Sequence, residues 1–206
     1  MCSRRVTAVT ATESDKTFER MDWYGEDLAD HIFVRCTFRD CTFTEATTTG
    51  ALFDECEFTG AQFNASVHER TAFLNCGFKR SSFFDATLKG CKLTGSRFVD
   101  VGMRPLTIDG GSWAFVSMRG ADLRGIDFSG VDLSEAILVD SNLSRAVFRK
   151  ANLSRAMLQR ADVSKADFRG ADLGGVGLDE IRWDRTIVDP VLAMRIAESH
   201  GAIVKD

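Results

Sequence analysis

The residues with most chemistry to offer are one histidine and a set of cysteines. His68 lies 20 residues after Thr48, and a hydroxyl beside an imidazole is the start of a nucleophile and base pair. A working pair also needs a group to orient the base, and no acid or nucleophile-elbow pattern is signalled near it; His31 and His200 supply nothing better. Thr48 and His68 therefore read as a polar exception inside a core, hydrogen-bonded to each other or to water, rather than as an internal catalytic site. Cys36, Cys41, Cys56, Cys76 and Cys91 sit in a common register of five, and Cys2 stands apart. Their spacings match no zinc signature and no secretory context supports disulfides, so they read as buried, reduced thiols. The NLS triplets at Asn142 and Asn152 fit a glycosylation sequon, and GADLRG has recurrent glycines, but both follow from a repeat unit. No Walker-type loop or paired metal ligands occur. The expectation is a non-enzyme with no catalytic residues, no metal and no cofactor.

What positions these residues is an unusual period. In ADLRGIDFSGVDLSEAILVDSNLSRAVFRKANLSR, from Ala121 onward, an apolar residue returns every fifth position. Five matches neither the helical nor the strand repeat. Stepping by five from Phe18 to Trp183, every position is apolar except Thr48 and His68, although only 44% of the chain is apolar. Two positions before each centre a second series is small or compact along most of the chain: Cys36, Cys41, Ala46, Ala51, Cys56, Ala61 and Ser66, then Ala146 through Ala171. A chain that points both series into one core must turn a corner between units. Gly50, Gly60, Gly90, Gly120 and their like, with Asp or Asn at 122, 127, 132, 142, 152, 162, 167 and 172, supply the corner chemistry.

Units such as ADLRG, ANLSR and ADFRG resemble the pentapeptide-repeat family over about Lys16 to Pro190. The resemblance implies an all-β solenoid: a right-handed quadrilateral β-helix with four units per coil, about 8–9 coils, and a length of about 41 Å at the ordinary interstrand spacing. Residues 16–188 form this domain. Residues 1–15 read as a flexible leader without signal peptide or membrane span. Residues 189–206 leave the period and read as a capping and dimerisation segment: a helix with Asp189 as N-cap, Pro190 in its first turn and Gly201 as terminator, then a short strand at 202–204. Leu192, Ala193, Ile196 and Ala197 would cover the open last coil. The family implies that two such ends meet, with Val191, Leu192, Ile196, Ile203 and Val204 as candidates for a homodimer interface.

Function is left to the surface. A net charge of −4 argues against direct nucleic-acid binding through a basic groove. Two faces are the more acidic, and they carry Glu26, Asp27, Asp30, Asp54, Glu55, Asp132 and Glu135. The unbroken register, the mid-rod MRPLTIDGG and the tail ESHGAIV are similar to the mycobacterial, MfpA-type quinolone-resistance branch of the family. That likeness implies a cytoplasmic, loop-free DNA mimic that binds DNA gyrase, at its ATPase region or its DNA saddle, through those acidic residues. Duplex DNA carries a charge every ~1.7 Å, or about 24 over about 41 Å. Mimicry by so weakly acidic a chain would have to be local. The alternative is a non-enzymatic interaction scaffold for another protein.

Overall fold

The computed structural model describes residues 11–205. Twelve short strands occur among them: β1 (Thr12–Ser14), β2 (Thr17–Glu19), β3 (Ile32–Val34), β4 (Thr37–Arg39), β5 (Leu52–Asp54), β6 (Glu57–Thr59), β7 (Val67–Glu69), β8 (Ala72–Leu74), β9 (Gly77–Lys79), β10 (Ala86–Lys89), β11 (Arg97–Val99) and β12 (Leu106–Asp109). All pairing is parallel and offset by one coil, as in Phe38↔Phe58 and Phe53↔Phe73. The chain is a parallel β-solenoid closed by one helix, α1 (Pro190–Ser199), as the five-residue period implies.

Each unit sends its centre and the residue two before it inward. Phe38, Phe43, Phe53, Phe58 and Phe63 are fully buried, and Cys41, Cys56, Cys76 and Cys91 are equally inaccessible. Equivalent rings stack from coil to coil: Phe38 on Phe58 at 4.6 Å and 7°, Phe58 on Phe78 at 4.9 Å and 5°. Neighbouring faces meet edge-on, as do Phe38 and Phe43 at 5.7 Å. The fifth residue of nearly every unit takes a left-handed conformation even without glycine, for example Arg35 (φ 51) and Arg145 (φ 61), Pro105 and Glu180 being exceptions. That conformation disfavours a side chain, and it turns the corner's N–H to the next coil, as when Arg35 N donates to Asp54 O at 2.8 Å. Gly111 is different: at φ +104, an added Cβ would lie within 2.3 Å of Cys91 O, so only glycine fits.

The ladder differs from the expectation of about 8–9 coils. The longest sheet has five strands, β2-β4-β6-β9-β11, and beyond Asp109 the register continues only as single bridges, from Ser112↔Asp132 to Asp167↔Ile187. Side-chain chemistry accompanies part of the change, although units at Ile137, Val147 and Met157 are single bridges without it. At every Asp or Asn that precedes a unit's centre, the side chain accepts the N–H two residues on: Asp22 and Asp27 near the start, then Asp122, Asp127, Asp132, Asn142, Asn152, Asp162, Asp167 and Asp172. Such Asx turns compete with extended backbone, and none of these units is a strand. In the second half, where strands give way to bridges, the motif recurs in most units.

Two boundaries are corrected. The leader assigned to 1–15 is shorter, because β1 pairs with β3 through Thr12↔Ile32, Glu13↔Phe33 and Ser14↔Val34. Its centre, Glu13, is polar, which hid the unit from the apolar count. The remainder of that leader, with Cys2, lies outside the described residues. No strand forms at 202–204. The helix follows its signals: Asp189 Oδ1 accepts from Leu192 N at 2.9 Å, and Gly201 has φ +85. Asp189 Oδ2 also accepts from Gly170 N at 2.7 Å, and Arg195 donates to Leu173 O at 3.0 Å. The helix thereby serves polar groups of the last coils while Leu192 and Ile196 pack against the core.

Candidate binding surface

The polar exceptions inside the core come together, and with company. Thr48 Oγ1 lies 2.5 Å from His68 Nδ1, and Ser66 Oγ lies 2.8 Å from Nε2. Ser66 Oγ donates to Phe63 O at 2.6 Å, so it accepts from Nε2–H, and Nδ1 accepts from Thr48. Thr71 Oγ1 completes the chain, 2.8 Å from Thr48 Oγ1 and hydrogen-bonded to Thr48 O. The four residues are fully buried. Burial lowers the His68 pKa to about 3, so the imidazole is neutral. With no acid in reach and no path to solvent, the cluster is structural. Sequence reading paired Thr48 with His68 but missed Ser66 and Thr71, which sit on the inward-facing small-residue series and carry the only signal available: hydroxyls where most units have Ala or Cys.

The thiols are equally enclosed. Cys56 and Cys76 donate to the carbonyls of Phe33 and Phe53 at 3.4 and 3.3 Å. Burial pushes the Cys91 thiol up to about 11 and Cys76 higher still. Among the described residues no group of three or more His, Cys, Asp or Glu is placed to hold a metal, and no helix is long and apolar enough to cross a membrane. The concavities are shallow surface hollows; one of about 480 Å³ lies among Arg160, Asp162, Ser164, Glu180, Arg182 and Asp184.

The outer surface is therefore where recognition must occur. The seven acidic candidates do not form one patch. Glu26, Asp27 and Asp30 are exposed on a single unit of the first coils. Asp27 is partly engaged, accepting from Ala29 N and from Thr47 Oγ1, each at 3.0 Å. Asp54 and Glu55 face Arg35, whose pKa they help raise after its main partner, Asp15. Asp132 and Glu135 lie four coils farther along. Asp132 is half-buried, accepting from Ser112 and Asn152, and Glu135 pairs with Arg155 at 3.5 Å. Such pairing recurs: cation and anion stack one coil apart at Arg35–Asp15, Lys89–Glu69 and Arg160–Asp140. Exposed pairs of this kind add little stability, but they offset the carboxylates they meet.

The C-terminal candidates divide as well. Leu192 is 3% exposed within its own chain and so cannot meet a partner, a correction to its assignment at a dimer interface. Ile196 is partly buried in the same cap. Val191 (66%), Ile203 (83%) and Val204 (41%) are open to solvent, joined by Met194 (47%), which the sequence reading omitted.

Residues 32–67, 114–149 and 136–175 match the pentapeptide repeats, in eight copies. The chain is a pentapeptide-repeat protein. Among solved structures, this pentapeptide-repeat protein is similar to full-length QnrB1, described as a plasmid-mediated fluoroquinolone resistance protein. The TM-score is 0.65 at 15% identity, covering 93% of this chain and 100% of QnrB1. A trypsin-treated QnrB1 variant gives 0.65 at 17% identity, covering 95% and 98%. At these identities the likeness is one of fold. No curated protein matches the sequence.

Proposed function

We propose that this pentapeptide-repeat protein is a cytoplasmic, non-enzymatic, homodimeric ligand of DNA gyrase. It competes with DNA for a gyrase surface and so protects the enzyme from fluoroquinolone-type poisons. The observation that carries this reading is the fold likeness to QnrB1 over 93% of this chain and the whole of that fluoroquinolone resistance protein. The loop-free register favours the MfpA-type form of the interaction. Mimicry is assigned to the first coils, where Glu26, Asp27 and Asp30 are exposed on one unit, and not to the flanks where carboxylates such as Asp15, Glu135 and Asp140 pair with arginines one coil away. The exposed Val191, Met194, Ile203 and Val204 support a dimer joined at its C-terminal ends.

A gyrase cleavage assay with ciprofloxacin tests this. Titrating the protein should lower the yield of drug-stabilised cleavage complexes, and reversing Glu26, Asp27 and Asp30 to Lys should weaken that effect. If neither cleavage nor supercoiling responds to the wild-type protein, the gyrase reading is wrong. The neutralised flanks favour the second reading, a scaffold for a different protein, and that reading then takes its place.

A further inference from the structure

Opposite charges follow one another along two edges of the rod, and a third edge ends in a run of like charges. On those two edges cations follow anions at successive corners, as in Asp15, Arg35 and Glu55 or Asp140 and Arg160. Adjacent coils are about 4.8 Å apart, so stacking opposite charges relieves repulsion that stacking like charges would create. On the face that runs from Arg104 toward the C-terminal end, like stacks on like. Arg104 precedes Arg124 by one coil, and the corner beside them carries Arg145, Lys165 and Arg185 in succession. All three corner residues are left-handed, at φ 61, 59 and 53, and exposed. Among the described residues Arg145, Lys165 and Arg185 make no salt bridge. A second like pair, Arg149 and Arg169, is no parallel, because both hold Asp167 at 2.7 Å.

These cations line one hollow. Arg104, Arg124, Arg145 and Lys165, with Ser144 and Ser164, line an open hollow of about 450 Å³. Gly125 opens it: a Cβ there would meet nothing within 4 Å. Asp162 and Asp184 line the next hollow beyond Ser164, and Asp122 stands at the opposite rim. Asp122 accepts from Arg124 Nε and a terminal nitrogen, both at 2.8 Å, and from Arg104 at 2.5 Å. It thereby fixes two guanidinium planes at the rim and leaves their remaining N–H groups free. An adjoining hollow of about 420 Å³ shares Arg104, Arg124 and Gly125 and adds Pro105, Leu106 and Ile126. A cationic trough running along the rod with an apolar bay beside it has the chemistry to take a linear, multiply charged anion.

We infer that this trough is a binding site for a polyphosphate chain, the chemistry shared by inorganic tripolyphosphate and the triphosphate tail of a nucleotide. The anion supplies the negative charge that Arg155 and Arg160, on two other edges, obtain from Glu135 and Asp140. Arg145 and Lys165 contact it directly, while Arg104 and Arg124 hold its other end. The site is separate from the acidic first coils and does not depend on gyrase.

Isothermal titration of the full chain at low salt with tripolyphosphate, ATP and citrate tests the inference. Tripolyphosphate should bind, weaken as salt rises, and lose affinity about tenfold or more in Arg145→Glu/Lys165→Glu, a change of about 1.4 kcal/mol or more. Arg80→Glu, an exposed corner elsewhere, should bind as the wild type does, and circular dichroism should show both variants folded. The milder Arg145→Gln/Lys165→Gln pair should also lose affinity and stands in for the reversal if that fails to fold. ATP binding more tightly than tripolyphosphate assigns the apolar bay to the base; equal affinity makes the phosphate chain alone the ligand. The inference is overturned by absence of tripolyphosphate binding, by unchanged affinity in the double variants, or by citrate binding equally well. Preference for a single-stranded oligonucleotide over tripolyphosphate at the same residues would overturn it in favour of nucleic acid.

Discussion

Thr48→Val, His68→Leu and their combination form a double-mutant cycle on the buried polar chain. Thr48→Val removes the hydroxyl that lies 2.5 Å from His68 Nδ1. No solvent reaches His68, so the ring nitrogen is left without a donor, at a cost of about 1–3 kcal/mol. Thr71 keeps the Thr48 carbonyl and adds little to that cost. His68→Leu alone leaves the Thr48 hydroxyl with Thr71 Oγ1, at 2.8 Å, in place of the imidazole, while Ser66 keeps Phe63 O, so it costs less than Thr48→Val. The double variant has no orphaned ring nitrogen, and Leu is the residue one coil farther on, at Leu88. It should recover most of the loss, giving a coupling of about 1–2 kcal/mol in urea unfolding at pH 7. A pH series adds an independent check. The folded imidazole is held at about 3 against an ordinary 6.5. Between those values the unfolded chain binds the proton and the folded chain does not. Stability is therefore fully present above 6.5 and falls as pH drops toward 3, by about 2 kcal/mol from pH 7 to pH 5. His68→Leu should remove that component. Additive single effects, or an unchanged pH dependence in His68→Leu, would refute the idea of a closed, neutral hydrogen-bonded chain.

The C-terminal cap supplies two more tests. Asp189→Ala removes acceptors for both Leu192 N and Gly170 N, so unfolding should become easier by about 1–2 kcal/mol, visible as a lower urea midpoint. Val191→Glu changes a side chain that is 66% exposed, so it should leave the fold intact by circular dichroism yet shift light-scattering mass from dimer to monomer; an unchanged mass would place any dimer contact elsewhere.

The chain's local order alone determined most of the architecture. A strict five-residue period defines which residues face inward, and every inward series in this family of units belongs to the same core, so Phe58, Cys56 and the rest were legible without coordinates. The helix was equally legible, because Asp189, Pro190 and Gly201 act on their immediate neighbours. Glu13 escaped notice because pairing with Phe33 across a coil, not its own polarity, makes its unit part of the solenoid. Asp and Asn positions marked Asx turns in the sequence, but units such as Ile137 and Met157 shrink to bridges without them, and only the structure shows that. The surface was least legible. Counting charges found acidic faces, whereas their strength depends on arginines a coil away, such as Arg155 beside Glu135. Leu192 shows the same limit: its spacing offered it to the cap and the family resemblance to a partner, and packing against the last coil places it in the cap. Sequence order governs contacts that a fixed period enforces; tertiary structure decides those that depend on how neighbouring coils and the helix share one surface.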